Sequence, residues 1–492
     1  MAKVIIVGGG VAGLSAGIFA LEKGHTVTLF EKHFLAGGNL TGWQRKGFSI
    51  DNCIHWLTGT SPLTERYNRW QRVGVISGRE SVYSPSSFYT VYDGENSLTM
   101  SRDIEKTKRD MLRLSKKDSY EIESFIKATK LASLYIGTTL NEKGKRANII
   151  DKIKFIPYFF KYHRLSLEDL AKKFKHPTLK KVCVGFLGKE LTALGLIIAY
   201  SDFTSGNGDL IKNGSYNASK KMVEKFAKMG GVLLTNKECV LASRYKDKIE
   251  SVTFSDGSTY SADYYIFATD AKTAYEKILK TPMQPTLKYR YDKWKTFSGV
   301  SVAFAIEGDA PFEIEAIIPT SESEREKIGS DFFAVREFSY FENFAPKGKN
   351  VLVSLQQCDE DESARWINLA KNKEEYKIKK QRIANSQLRE IERVFPSLKG
   401  KIEIIDAWTP YTYYKFTGES HGAFMSFLVE KNKAPFKSSN KIKGVKNACL
   451  ASQWLQPPGG LPIALDSGYN AVKTMQKSIE KKGVQVLQNQ SN

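Results

Sequence analysis

Apolar and polar positions divide the chain into segments of two different periods. Lys3 to Val7 is a short apolar run stopped by glycine, which predicts a buried strand. Val11 to Lys23 carries small and apolar residues at helical spacing, and His25 to Phe30 reads as a second strand ending on Glu31. Gly47 to Asp51 alternates like a strand, and Ser81 to Met100 alternates around Asp93-Gly94, which predicts a hairpin. From Ser101 to Leu134 the residues Ile104, Met111, Leu112, Leu114, Ile122, Phe125 and Ile126 recur at helical spacing, and a basic, aromatic helical stretch continues to Tyr200. Gly214-Ser215 then opens a helix with Met222, Val223 and Phe226 on one face, and Gly230-Gly231 stops it. Val232 to Leu234 begins a strand, and Glu238 to Val240 is expected to continue the same sheet. Lys246 to Tyr260 alternates around two turns, and Tyr264 to Asp270 is another buried strand. Between residues 280 and 410 the pattern predicts strands at Gly299–Ile306 and Val351–Gln356 and one long charged helix from Asp361 to Val394, closed by Pro396. Ala407 to Phe416 is an aromatic run that reads as a strand. Ala448 to Ala451 is a short buried strand, and a helix from Ile463 to Ser478 follows Pro457-Pro458-Gly459-Gly460-Leu461-Pro462. The last dozen residues are polar and expected to fray.

Composition changes this picture in one place. The chain of 492 residues is 41% apolar and 26% charged, as in a folded protein, and its formal charge is +21. Such a surface favours anionic partners, nucleic acid or acidic lipid, although general lysine content accounts for much of the excess. Residues 141–190 hold 13 Lys or Arg against 5 Asp or Glu, a net of +8. The same region carries Ile149, Ile150, Ile153, Phe155, Ile156, Tyr158, Phe159 and Phe160 among Lys152, Lys154, Lys161 and Arg164. Two readings stand side by side: a segment resting on a membrane surface, and a helix packing its apolar face inside the protein. No apolar run reaches the length of about eighteen residues that spans a bilayer, and the N-terminus is not expected to be a signal peptide. The five cysteines form no CxxC pair and read as free thiols in a reducing compartment; no metal site is expected.

The first strand, helix and second strand frame Gly8-x-Gly10-x-x-Gly13, and Glu31 lies eighteen residues past the last glycine. In this arrangement Gly8 permits a tight turn, Gly10 lets a pyrophosphate approach the backbone, and Gly13 lets helix and sheet pack closely. The N–H groups of the helix N-terminus, at Val11 and Ala12, suit a diphosphate. Glu31 can accept from a ribose hydroxyl pair and would repel a 2′-phosphate, which disfavours NADP. Read alone, the motif fits a nicotinamide enzyme as well as a flavoprotein. Gly37-Gly38 lies where a backbone turn approaches the same nucleotide. Asp51, Asn52, His55 and Trp56 cluster at the end of the Gly47 strand, and spacing alone favours a hydrogen-bonded surface role for His55.

Four blocks together resemble the FAD-dependent phytoene desaturase, carotenoid isomerase and retinol saturase family, within the wider amine oxidase-like flavoproteins. They are VGGGVAGLSAG with Glu31; AGGN followed by GFSIDNCIHW; GSYNASKKMVEKFAKMGGVLLTNKECV running to YYIFATD; and TPYTYYKFTGESHG with ASQWLQPPGGLPIALDSG. The resemblance implies an α/β fold: a Rossmann-like FAD-binding domain interleaved with a mixed-sheet substrate domain and a helical, membrane-associating segment. The expected divisions are 1–80, 206–280 and 416–492 for FAD, 81–205 for the helical region, and 81–205 with 281–415 for substrate.

The resemblance also implies FAD as cofactor, with Gly8, Gly10, Val11, Ala12 and Gly13 at the pyrophosphate and Glu31 and Lys32 at the adenosine end. Gly37, Gly38 and Asn39 are expected near phosphates and ring, Val240 by the adenine, and Gly459, Gly460 and Leu461 at the flavin's pyrimidine edge. Three departures stand out. Asn39 replaces a common basic residue, Cys53 a common glycine, and Ala451-Ser452 a Gly-Asp-like pair. The implied activity is redox or isomerase chemistry on a C–C or C=C bond of an apolar polyene, isoprenoid or retinoid-like substrate. His55, Trp56, Tyr411 and His421 are the catalytic candidates, since their blocks are expected to line the flavin cavity. The alternatives are an amine oxidase, with Tyr411, Tyr413 and Tyr414 as an aromatic cage, and a non-catalytic lipid carrier on the same fold. The electron partner is open among oxygen, a quinone and a reduced carrier, and no nucleic-acid motif is present. The expected location is cytoplasmic, at the inner face of a membrane.

Overall fold

The computed structural model describes residues 1–94, 96–135 and 149–490. The basic stretch at 141–148, the side chains of Ile149, Lys152 and the polar tail, and residues 491–492 lie outside the described residues.

Strand β1 (Lys3–Val7), helix α1 (Val11–Leu21) and strand β2 (Thr26–Phe30) form the predicted unit. They seed a five-stranded parallel sheet in the order Val232–Leu234, β2, β1, Tyr264–Phe267, Ala448–Leu450. Because side chains alternate along a strand, a sheet covered on both faces needs apolar residues at every position. Val4 and Ile6 pack with α1, and Ile5 and Val7 pack into a separate core on the opposite face. The α1 face also receives the helices Gly214–Lys228 and Leu461–Gln490. A Cβ on Gly468 would stand 2.5 Å from the Ala12 carbonyl oxygen, so this glycine sets how closely the last helix lies on α1.

The opposite face is covered by a three-stranded antiparallel sheet, Cys239–Tyr245, Lys248–Phe254 and Thr259–Tyr260, with Phe254 stacked on Phe30 at 4.2 Å. Here the expectation that residues 238–240 continue the parallel sheet is corrected. The chain leaves that sheet after Leu234, and Cys239 starts the new one, directed inward against Phe30 and Val252.

A seven-stranded mixed sheet carries the second half: Ile402–Trp408, Ser298–Glu307, Lys349–Cys358, Phe332–Glu337, Glu315–Pro319, Ser87–Tyr92 and Ser97–Ser101 in spatial order. Only the Glu315–Pro319 and Ser87–Tyr92 pair is parallel. Val302, Phe304 and Leu352 on one face pack against the helix Lys373–Val394. Ser301, Val353 and Leu355 on the other face a large cavity. The predicted single helix over 361–394 is two, Glu360–Leu369 and Lys373–Val394. Asn372 breaks it by accepting from the Glu375 N–H at 3.4 Å, a cap that restarts the helix. The aromatic run is not a strand either. Trp408 ends a strand, Thr409 forms a capping box with Thr412, and Pro410 opens a helix to Thr417.

Among the described residues, six α-helices between Ile104 and Thr204 build a third core around Phe125, Phe155, Tyr162 and Tyr200. The helix Ile149–His163 packs one apolar face inside the protein, as one of the two readings expected, and leaves other apolar side chains exposed. Phe155 and Tyr162 point into this core, while Ile150, Ile153, Ile156 and Phe160 are each 45–57% exposed. No helix among the described residues is long and apolar enough to cross a membrane.

Candidate active site

A cavity of about 1000 Å³ opens where the parallel sheet, the seven-stranded sheet and the helical core meet. Its polar end is built by β1, β2 and two helix N-termini. Gly8 has φ +105°, and a Cβ there would lie 2.5 Å from the Ala268 carbonyl oxygen. Gly10 caps α1 with no side-chain hydrogen bond, and a Cβ on it would meet nothing nearer than the Gly38 Cα at 3.9 Å. The first N–H groups of α1 therefore face open space, bounded by Gly10, Val11, Ala12, Gly37 and Gly38. Gly13 does not line the cavity. Its Cβ would fall 1.9 Å from the Gly8 carbonyl oxygen, so its role is the close packing of helix on turn.

Glu31 is buried and lines the same end. Its carboxylate accepts from Gly9 N–H at 2.6 Å and His33 N–H at 2.9 Å, which pins it and leaves a further lone pair on each oxygen. Lys32, Lys237, Lys277 and Lys415 also line the cavity. Burial lowers the Lys32 ammonium from its ordinary range, Glu238 and Glu31 partly oppose this, and Lys277 adds to it. Val240 lines the cavity from the three-stranded sheet, and Gly459, Gly460 and Leu461 line it from the start of the last helix. Asn39 donates to the Phe424 carbonyl at 3.1 Å, and its buried Oδ1 has no partner. Ser452, in the place of a common acid, donates to the Thr269 carbonyl at 2.9 Å.

These features test whether a flavin dinucleotide fits. The N-terminus of α1 offers N–H groups to a diphosphate, and the space before Gly10 is one that a Cβ would fill. An orphaned acceptor at Asn39 awaits a ligand N–H or O–H, and a pinned carboxylate stands ready for hydroxyls. The residues present fit FAD.

The other end of the cavity is apolar, lined by Ile54, Trp56, Leu187, Phe338, Val353, Leu355 and Met425. Trp56 stacks on Phe186 at 5.6 Å and meets Phe88 edge-on at 5.2 Å. His55 also lines this end, with Nδ1 3.1 Å from Glu315 Oε2. Tyr411 and Tyr414 line the cavity with ring centroids 6.4 Å apart. Tyr413 is occupied, accepting from Trp408 Nε1–H and donating to Asn52 Oδ1, both at 3.0 Å. Of the four catalytic candidates, His55, Trp56 and Tyr411 line the cavity and His421 stands apart from them. It does not line the cavity, because Glu419 holds its ring at 3.1 Å and Glu360 stands 3.6 Å from Nε2. Burial disfavours its charge, but the Glu419 bond and charge, with Glu360 and Asp270, raise it above the ordinary histidine range.

Arg336 and Glu315 escape the sequence reading, and Asp51 appears there only as a member of a cluster, without its role. Asp51 accepts from four donors, described below, and supports the His55 loop. Arg336 and Glu315 lie directly opposite each other on adjacent strands, and Arg336 lines the cavity. Burial pushes the Glu315 carboxyl up, but Arg336 and His55 more than reverse this and hold it down at about 2. A charged residue opposite a charged residue in an apolar strand pair is a signal of a built ion pair, but it needs the strand register to be seen.

Comparison with known proteins places this geometry. The pattern defining the family described as flavin containing amine oxidoreductase matches residues 11–476. The chain belongs to that family. FAD is its cofactor and the protein is an FAD-dependent oxidoreductase. The 4,4′-diaponeurosporene oxygenase of Staphylococcus aureus is 21% identical, over 94% of this chain and 96% of its own. Two solved structures share the fold. An oxidoreductase from Methanosarcina mazei has a TM-score of 0.61 at 14% identity, covering 96% of this chain and 100% of its own. Cyclohexylamine oxidase from Brevibacterium oxydans has a TM-score of 0.56 at 13% identity, covering 97% and 99%. The family assignment agrees with the resemblance drawn from the four sequence blocks, and with FAD rather than a nicotinamide at the glycine turn.

Proposed function

We propose that this flavoenzyme oxidises or rearranges C–C or C=C bonds of an apolar polyene or isoprenoid. The carrying observation is that one cavity carries both the glycine-lined dinucleotide end and an apolar wall that includes Trp56, Leu187, Phe338 and Leu355. The relative from S. aureus, which by its name acts on a carotenoid, supports this reading. When bound, FAD supplies two-electron redox chemistry. The chain's own part is to hold the apolar substrate beside it and to exclude water, which the aromatic and aliphatic wall does.

Mixing the FAD-loaded protein anaerobically with an acyclic polyene in micelles is expected to bleach the flavin absorption band. A panel of polyenes and isoprenoids that leaves the band untouched and is recovered neither oxidised nor isomerised overturns the reading. A second reading, an amine substrate, is favoured by the facing rings of Tyr411 and Tyr414. It is weakened by Lys415 beside them in the cavity wall, which repels an ammonium group. Peroxide production from an amine panel would favour it over the first.

An apolar substrate partitions into lipid, and the exposed stripe Ile150, Ile153, Ile156 and Phe160 offers a route to it. Spacings of three and four residues put these side chains on one helix face, flanked by exposed Lys154 and Arg164. The protein is expected to co-sediment with vesicles containing anionic phospholipid and weakly with neutral ones. Burying one isoleucine is worth roughly 1.5–3 kcal/mol, so I153D together with F160D should weaken vesicle binding by at least about tenfold. Equal sedimentation of variant and parent would remove this stripe from the contact.

A further inference from the structure

We propose that His55 is the proton-transfer residue of the oxidation and that Glu315 and Arg336 are the positioning residues that hold its ring. The proposal rests on the substrate reading above and deepens it.

His55 is clamped at two points. Its ring Nδ1 lies 3.1 Å from Glu315 Oε2, and its backbone carbonyl accepts from Arg336 Nη1. The same Nη1 donates to the Ile54 carbonyl at 3.1 Å. Arg336 closes the loop by donating to Glu315 Oε2 through Nη2 at 2.9 Å and Nε at 3.3 Å. Glu315 lies behind His55 and does not line the cavity, whereas His55 does. The two strand partners are buried, with side chains 5% and 10% exposed. An ion pair so placed carries a large desolvation cost, and two loop carbonyls alone do not need a carboxylate.

The chemistry follows from the acceptor. An ionised carboxylate only accepts, so Nδ1 must carry the ring proton, and neutral His55 then has a bare lone pair on Nε2. Nε2 makes no hydrogen bond to any described residue. In forming a C=C bond, two C–H bonds of adjacent carbons break. One hydrogen leaves with its bonding electron pair, the two-electron demand that FAD meets. This leaves a cation delocalised over the polyene, which acidifies the neighbouring C–H. That proton passes to Nε2 of His55, its bonding pair becomes the new π bond, and the imidazolium so formed faces the Glu315 carboxylate. Saturation runs the same transfer backwards.

The test combines a readout without substrate and one with it. In FAD-loaded protein labelled with ¹⁵N-histidine, assigned by loss of one spin system in H55A, His55 is expected as the Nδ1–H tautomer. The Nε2–H tautomer overturns the proposal. H55A leaves Glu315 paired with Arg336, so it should fold and retain its flavin absorbance. Its turnover is expected to fall by about 10²-fold or more, and added imidazole should restore part of it. Turnover within about twofold of the parent, or a loss that imidazole does not relieve, overturns the proton-transfer role. A parent protein inert on every polyene and isoprenoid overturns the substrate reading instead, and the tautomer still decides for or against the placement of His55.

Discussion

G10V is expected to give a folded protein that cannot hold FAD. Gly10 has φ −72° and ψ −178°, an extended conformation that valine adopts readily. A Cβ at this position meets only the Gly38 Cα, at 3.9 Å, which is ordinary contact. The added isopropyl group would instead occupy the space in front of the α1 N-terminus, between Val11 and Gly38, where the diphosphate must approach bare N–H groups. Affinity for FAD is expected to fall at least about a hundredfold, or about 2.8 kcal/mol. Stability should match that of parent protein stripped of FAD to within about 0.5 kcal/mol, since no buried contact is lost. G13V is the contrasting case. Its Cβ would overlap the Gly8 carbonyl oxygen at 1.9 Å, so this variant should fail to fold rather than fail to bind. The ratio of flavin to protein absorbance and a thermal melt of each variant separate the two effects. A G10V protein as yellow as the parent would show that the dinucleotide does not lie across Gly10.

The contrast between these two glycines shows what a sequence can carry. β1, α1 and β2 are contiguous, so their periodicity and punctuation define the unit before any tertiary contact forms. Gly8, Gly10 and Gly13 can then be given separate roles by position. The other strands of the parallel sheet come from residues 232, 264 and 448 onward, and each was legible as a short apolar run, because a doubly covered strand has no polar face. Where the reading failed, a short local signal had competed with a longer pattern. Asn372 splits a charged helix of otherwise continuous period, and Thr409-Pro410 turns an aromatic run into a helix. Cys239 begins a new sheet that no local feature distinguishes from the old one.

The site divides along the same line. Its cofactor end is made of backbone turns and helix starts, whose glycines mark them in the sequence. Its apolar end is made of side chains from strands far apart in the chain. His55 and Glu315 are 260 residues apart, and the Glu315–Pro319 and Phe332–Glu337 strands that bring Glu315 and Arg336 face to face were not predicted. His421 fails for a related reason. Its motif block does reach the cavity through Gly418, Glu419 and Ser420, but the tight hydrogen bonding of Glu419 turns the next side chain away. Block membership places a segment at a site; the hydrogen bonds within it decide which side chain enters.

D51A is expected to cause a large loss of stability together with loss of activity, because one buried carboxylate joins two elements and the loop that carries His55. Asp51 ends the strand Phe48–Asp51 and is 5% exposed. Its Oδ2 accepts from Ser215 N–H at 2.5 Å, which places a negative charge at the N-terminus of the helix Gly214–Lys228. Its Oδ1 accepts from Ser215 Oγ at 2.7 Å and from the N–H groups of Cys53 at 3.0 Å and Ile54 at 3.4 Å. Ile54 also donates to Ser215 Oγ at 3.0 Å, so strand, helix and loop share one network. Alanine removes the acceptor for Ser215 N–H, Ser215 Oγ–H and Cys53 N–H at once. Leaving a buried donor unpaired costs about 1–3 kcal/mol, so D51A should lose about 3 kcal/mol or more in urea denaturation of the FAD-free protein. D51N should lose less. Its amide oxygen can keep the Oδ1 contacts, but its NH₂ then faces Ser215 N–H, donor against donor, and the charge at the helix start is gone. The functional consequence follows from the chain. Cys53 and Ile54 lead directly to His55, whose ring must stay within reach of Glu315, so D51N is expected to lower turnover more than its modest stability change would suggest. Denaturation midpoints of D51A and D51N equal to the parent's would show that the network holds without the carboxylate, and the account of how the fold positions His55 would have to be abandoned.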